Sequence, residues 1–151
     1  MILKNLLIIL IPFLTNVINQ TTEYTNYSWV KLSKINNELI IYNSCDQGNL
    51  IIDVNENQHI TLLGVQEEEI FDILKIEKNE ILTSYYTKSQ ITKSVQVFNF
   101  RWIDKRKGTC EWSTTFSNGY YLNETFVNQK QKTNFKEYHQ PCSDCWGKEC
   151  E

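Results

Sequence analysis

The sequence contains no alanine, so the best helix-forming residue is missing from all 151 positions. Isoleucine and asparagine are abundant instead, and a β-branched residue such as isoleucine suits the pleated surface of a sheet. At this length, 41% hydrophobic and 22% charged residues is the composition of one globular domain. We therefore predict an all-β fold built around one core.

Signatures of catalysis are also absent from the sequence. The two histidines, His59 and His139, lie in no recognised nucleophile motif. The chain lacks a glycine-rich phosphate loop and an HExxH pair of metal ligands. Its aspartates and glutamates are scattered over predicted turns, which gives no support for an acid–base pair. These absences predict a protein that is not an enzyme, with no catalytic residue, cofactor or metal.

The chain has no large excess of charge of either sign. Its 15 basic and 18 acidic residues give a net charge of −3, and removal of a leader that includes Lys4 leaves 14 against 18, or −4. A charge this small gives no electrostatic reason to expect a nucleic acid partner.

The first 19 residues have the pattern of an export signal. Lys4 supplies the positive start, and an apolar stretch from Leu6 to Leu14 precedes polar residues. This stretch is shorter than the roughly 20 apolar residues that span a bilayer, and Pro12 interrupts it. We predict cleavage near Asn19, secretion to the extracellular or periplasmic space, and no stable membrane insertion afterwards.

Residues 29–127 have the pattern of a β-meander, preceded by a polar leader at 20–28. Short apolar segments recur between polar turns, as where Leu50, Ile52 and Val54 alternate with other residues, which is typical of a strand with one buried face. In the longest segment the parity of the apolar residues changes, which predicts a β-bulge near Val97 or Phe98. Residues 128–151 form a polar, cysteine-containing tail that begins as a loop or a weak helix.

Three turns within the meander have specific sequence signals. Ile35-Asn36-Asn37 has the spacing of a hairpin turn. Gly108 stands where a hairpin loop of three to five residues requires a left-handed residue. Asn118-Gly119 predicts a two-residue hairpin turn of type I′ between Phe116 and Tyr120.

Eight or nine short strands with local turns predict an antiparallel up-and-down meander. We favour a small closed barrel over a sandwich, because closure removes exposed sheet edges. In its length and in its predicted meander of strands, the chain resembles the lipocalin or avidin type of barrel. It departs from the lipocalin pattern because the Gly-x-Trp start is not matched at Trp29, which Ser28 directly precedes. The resemblance therefore implies the shape alone, and no functional residue follows from it.

The five cysteines are interpreted as a disulfide framework with one residue left over, because the chain is predicted to be exported. Cys45 and Cys110 lie inside the meander and are predicted to pair, a bond worth roughly 2–4 kcal/mol. In the tail, Cys142 is predicted to pair with Cys150. The spacing of His139, Cys142, Cys145 and Cys150 also fits a zinc shell, but a disulfide clasp suits an oxidising compartment better.

The function suggested by the sequence is binding. The predicted ligand-binding residues are aromatic residues of the last strands, which would line a pocket for an apolar or sugar-like ligand unless they simply pack in the core: Phe98, Phe100, Trp102, Trp112 and Tyr120. We predict a non-enzymatic binding module for a small apolar ligand or a protein partner. The alternative is a secreted enzyme or inhibitor that acts through its loops, and a surface cleft joining His59 or His139 to carboxylates would favour it.

Overall fold

A computed structural model of the protein describes residues 27–45, 48–55, 58–64 and 68–141. The predicted all-β class is confirmed, since these residues form eleven strands and a short 3₁₀ helix. In chain order the elements are β1 Tyr27–Lys31, β2 Ser33–Ile35, β3 Glu38–Asn43, β4 Ile51–Asn55, β5 His59–Leu63, β6 Glu69–Lys78, β7 Thr83–Ser89, β8 Val95–Asp104, β9 Thr109–Thr115, β10 Tyr121–Asn128, the helix η1 Gln129–Asn134 and β11 Glu137–His139.

Eight of these strands form a closed antiparallel barrel in the order β1-β10-β9-β8-β7-β6-β5-β4. Strands β4 to β10 pair with their neighbours in sequence, as the meander predicts. Strand β1 closes the barrel, because Trp29 pairs with Asn128 of β10 on one side and with Ile52 of β4 on the other. The predicted small barrel is therefore confirmed, and its strands have no open edge within the ring.

A second, three-stranded sheet of order β11-β3-β2 lies beside the barrel. Strand β11 pairs with β3 in parallel, with His139 opposite Asn43. A separate apolar cluster accompanies this sheet and includes Val30, Leu32, Ile41 and Val127. The beginning of the predicted polar tail thus forms η1 and then a strand that the composition did not indicate.

The barrel interior is lined by the inward-facing residues of the eight strands. Each strand alternates, so that β4 and β5 direct Ile52, Val54, Ile60 and Leu62 inward. The change of register in β8 lies between Trp102 and Asp104, not at Val97 or Phe98. The predicted position of the bulge is therefore wrong. Val97 faces outward, since the ladder to β7 runs without a shift from Val95 to Phe100.

All three predicted turns occur at the expected positions, and one of them differs in type. Gly108 has φ of +67°, which confirms the predicted left-handed residue. Asn36 and Asn37 both have positive φ, which is the geometry of a type I′ turn. At the predicted type I′ turn only Gly119 has positive φ, and its amide donates to the carbonyl of Phe116 at 2.9 Å. That prediction is wrong in type, because the loop has three residues and ends in a left-handed glycine.

The predicted Cys45–Cys110 disulfide is wrong. Cys110 is a free cysteine that lies fully buried in the barrel core. Cys45 lies just after β3 and is exposed, and its backbone N–H donates to the side-chain oxygen of Gln140. The two residues are on different parts of the fold because Cys110 points into the barrel while β3 lies outside it.

Several predictions concern parts of the chain outside the described residues. These are the signal peptide at 1–19, most of the leader at 20–28, and the tail cysteines Cys142, Cys145 and Cys150. The last two leader residues, Tyr27 and Ser28, belong to β1. Within the described ranges, no helix has the length and hydrophobicity needed to cross a membrane.

Candidate functional site

The five aromatic residues predicted to bind a ligand do not share one environment. Phe98, Phe100 and Trp112 are buried in the barrel core. Trp102 is 37% exposed at the end of β8, and Tyr120 is 59% exposed in the β9–β10 turn. Their role as a single ligand-binding set stays a prediction, because the barrel separates them into a core group and two surface positions.

The core aromatic rings pack against one another, and the partly exposed Trp102 contacts them from the end of β8. Phe100 lies 5.2 Å from Trp29, 5.2 Å from Trp102 and 5.1 Å from Trp112, measured between ring centroids. Such separations are typical of favourable ring pairs. This packing favours the plainer interpretation of the aromatic pattern, in which the side chains build the barrel core.

A surface pocket with a volume of about 430 Å³ lies against the wall formed by β1, β4 and β5. We call it the wall pocket. Its described lining residues are mostly polar: Tyr27, Ser28, Asp53, Val54, Asn55, His59, Thr61, Leu63 and Glu68. The volume is within the range of small-molecule sites in proteins.

The strand pairing places the polar side chains of the wall pocket in two rows. Ser28, Asp53 and Thr61 are opposite one another on β1, β4 and β5. Asn55 is opposite His59 in the next row. They face away from the core because they alternate with core residues of the same strands.

The electrostatics of the wall pocket are acidic. Asp53 and Glu68 are carboxylates, and the described lining residues include no lysine or arginine. The Oδ1 atom of Asp53 is buried and has no hydrogen-bond partner within the described part of the chain. A buried carboxylate oxygen without a donor is unfavourable, so the pocket is suited to a group that donates hydrogen bonds and carries positive charge.

The wall pocket also contains His59 together with two carboxylates, which is the arrangement that would favour the catalytic alternative. A Ser-His-Asp relay requires the histidine between the serine and the aspartate. Here Ser28 is on β1, Asp53 is on β4 and His59 is on β5. Because β4 lies between β1 and β5, the aspartate is on the strand between the other two residues. The strand pairing therefore does not place His59 between Ser28 and Asp53.

Metal coordination finds no support in the described residues. They contain no group of three or more histidine, cysteine, aspartate or glutamate side chains that could hold a metal ion. Three of the four residues of the alternative zinc shell lie outside the described ranges, and His139 is exposed in β11.

Sequence reasoning did not identify the wall pocket. In the sequence, Asp53 is the charged residue that alternates with Ile52 and Val54, and Ser28 is the last residue of the predicted leader. The available signal was that a charged residue faces outward on a strand between two apolar ones. Its neighbours could not be known, because the β1–β4 pair joins residues that are distant in sequence and depends on barrel closure.

Comparisons of the chain with protein-family models, with curated proteins and with solved structures found no match. The wall pocket is therefore interpreted from its own geometry and chemistry.

Proposed function

We propose that this protein is a non-enzymatic binding module whose wall pocket binds a small molecule, or a side chain of a partner, that carries a cationic amino group. The observation that carries the proposal is the buried, unpartnered Oδ1 of Asp53 in an acidic pocket. An ammonium group would supply the missing donor and neutralise the carboxylate.

The remaining lining residues suit such a ligand. Glu68 provides a second carboxylate at an exposed position of the pocket. Tyr27 contributes an aromatic side chain to the same lining, and rings attract cations through their negative faces. Ser28 and Thr61 offer hydroxyl groups on either side of Asp53. Together they favour an amine with a short apolar or aromatic body over the purely apolar ligand suggested by the core aromatics.

The experiment compares benzylamine with benzyl alcohol, a probe of the same shape without the positive charge. Each is titrated into uniformly ¹⁵N-labelled protein, and backbone amide shifts of β1, β4 and β5 are followed by NMR. We expect saturable binding of benzylamine that is about tenfold tighter than that of benzyl alcohol, which corresponds to one charged hydrogen bond.

The matched variants are Asp53→Asn and Glu80→Gln. Asp53→Asn removes the charge with little change of shape, and we expect about a tenfold loss of benzylamine affinity. Glu80 is exposed in the β6–β7 turn, outside the wall pocket, so its variant should bind as the parent does. Equal affinities for the two probes, or unchanged benzylamine binding in Asp53→Asn, would contradict the proposal.

Export is a further part of the proposal, and the pattern at residues 1–19 supports it. Expression of the full chain in a secreting host, followed by N-terminal sequencing, tests it. We expect the protein in the medium or periplasm with a new N-terminus near Gln20. Intact protein retained in the cytoplasm would contradict export without affecting the test of the pocket.

A further inference from the structure

Part of the barrel interior is polar rather than apolar. Four polar residues on adjacent strands are almost completely buried, with exposed fractions of 0% for Thr87, 1% for Ser89, 6% for Gln96 and 2% for Thr114. They point inward because they alternate in phase with core residues of their strands, as Gln96 does with Phe98. We call these four residues the polar layer.

Two members of the polar layer have their hydrogen bonds satisfied by the protein. The Thr87 hydroxyl donates to the Gln96 backbone carbonyl at 3.1 Å. The Ser89 hydroxyl donates to the Glu69 carboxylate at 3.2 Å and accepts from the backbone N–H of Thr92 at 3.0 Å. These contacts account for their burial.

Gln96 and Thr114 are different. Both the Nε2 and the Oε1 atoms of Gln96 are buried without a hydrogen-bond partner among the residues that the structure describes, and so is the Oγ1 atom of Thr114. An unsatisfied buried polar group costs free energy, and one amide here presents both a donor and an acceptor in that state. An ordered water or a guest molecule that completes these bonds would remove this cost.

These groups lie beyond the end of the ladder between β8 and β9. The β8–β9 ladder ends at the pair Asn99 and Ser113, although β8 begins at Val95 and β9 continues to Thr115. The ring of Phe116 covers this end of the interior, 6.2 Å from Phe98 and 6.3 Å from Phe71 between centroids. Gln96 and Thr114 thus lie past the last β8–β9 pair, although each still pairs on its other side, Gln96 with Thr87 and Thr114 with Leu122.

We propose that Gln96 and Thr114 form an internal binding site, covered by Phe116, for a small uncharged molecule with a carboxamide-like group. The ligand must both donate and accept, since Gln96 offers an N–H and a C=O and Thr114 offers a hydroxyl. It is uncharged because neither residue could compensate a buried charge, and Glu69 is already engaged by Ser89. This site is separate from the wall pocket, which lies on the outside of β1, β4 and β5.

The experiment titrates acetamide into ¹⁵N-labelled protein and follows the Gln96 side-chain NH₂ resonances. N,N-dimethylacetamide is the matched probe, because it has the same carbonyl and no N–H donor. We expect a saturable shift of the Gln96 signals with acetamide, and binding of the dimethyl probe that is about tenfold weaker. Gln96 signals that do not move, or that move linearly without saturation, would overturn the proposal and leave water as the only guest.

The variants separate the site from effects on folding. Gln96→Met keeps the shape of the side chain and removes both unpartnered atoms, so it should fold and no longer bind acetamide. Thr114→Val is a second, independent variant with the same expectation. Gln90→Met changes an exposed glutamine in the β7–β8 turn and should bind as the parent does. Acetamide binding to both variants is monitored through the backbone amides of β8 and β9. Binding that persists in both Gln96→Met and Thr114→Val would overturn the assignment.

Discussion

The backbone of Gly64 lies against the backbone carbonyl group of Asn49, with no room for a side chain. A Cβ atom on Gly64 would be 2.0 Å from the Asn49 oxygen, and φ at Gly64 is +77°. The Gly64→Ala variant must therefore move backbone as well as adopt a strained conformation. We expect it to lower the free energy of unfolding by more than about 2 kcal/mol, measured by chemical denaturation.

Gly119→Ala is the matched control for this substitution. Gly119 has a similar φ of +84°, but nothing lies within 4 Å of the position of its Cβ. The control isolates the cost of the left-handed conformation, which is about 1–2 kcal/mol. If both variants lost the same free energy of unfolding, the contact between Gly64 and Asn49 would not explain the loss in Gly64→Ala.

Asp104 stabilises the β8–β9 turn in its ionised form. Its Oδ1 atom accepts from the backbone N–H of Arg106 at 2.9 Å and from that of Lys107 at 3.2 Å. The Lys107 bond is the main cause that holds the pKa of Asp104 below its ordinary value. A lowered pKa means that the stabilisation is complete above the unfolded-state pKa and is lost as pH falls through the folded-state pKa.

We therefore expect Asp104→Asn to be less sensitive to acid than the parent protein. The measurement is the thermal midpoint of both proteins between neutral pH and strongly acidic pH. The gap between them should be largest at neutral pH and should narrow on acidification. A constant gap over the whole range would show that the charge of Asp104 does not contribute.

The sequence predicted those features of the barrel that depend on neighbouring residues. The strand around Ile52 and the left-handed Gly108 follow from local alternation and turn chemistry, and both are confirmed. The predicted bulge position in β8 is wrong. A bulge near Val97 requires Val95 to face the barrel interior, but Val95 is 66% exposed. Single apolar residues commonly face solvent, so parity alone does not locate a bulge.

The features that sequence reasoning missed depend on contacts between distant parts of the chain. Closure through β1 brings Ser28 beside Asp53, and no local pattern indicates this pair. The disulfide prediction for Cys110 depends on its position with Cys45 inside the meander, although its alternation with Trp112 also fits an inward position in the core. The polar layer was missed for a related reason, since a buried glutamine such as Gln96 has no sequence signature that distinguishes it from an exposed one.

The turn between β2 and β3 offers a stabilising substitution. Asn37 is the second residue of a type I′ turn, with φ of +63°, and glycine is preferred there. We expect Asn37→Gly to raise stability by about 0.5 kcal/mol. Asn118→Gly is the opposite control, because Asn118 accepts from the Tyr120 N–H at 2.9 Å and its loss should destabilise. Thermal midpoints that move in the same direction would contradict this interpretation of the two turns.

Cys110 should be unreactive in the folded protein. Burial raises the pKa of its thiol, so the reactive thiolate is scarce, and the residue is fully buried. We expect iodoacetamide to modify Cys110 at least about a hundredfold faster in denaturant than under native conditions. Peptide mass mapping after timed quenching measures the rate at this residue alone. Rapid native modification would mean that the barrel opens at β9.

Cys45 is predicted to form a disulfide with a cysteine of the C-terminal segment. Cys142 is the expected partner, which replaces the Cys142–Cys150 pair predicted from the sequence. Strand β11 runs along β3, and the Cys45 backbone N–H donates to the side-chain oxygen of Gln140 at 3.3 Å. Cys142 follows Gln140 by two residues, whereas Cys110 is buried and free. Peptide mapping without reductant should recover a Cys45–Cys142 cross-link, and reduction should lower stability by roughly 4 kcal/mol. Recovery of Cys45 as a free thiol from oxidised protein would refute this pairing.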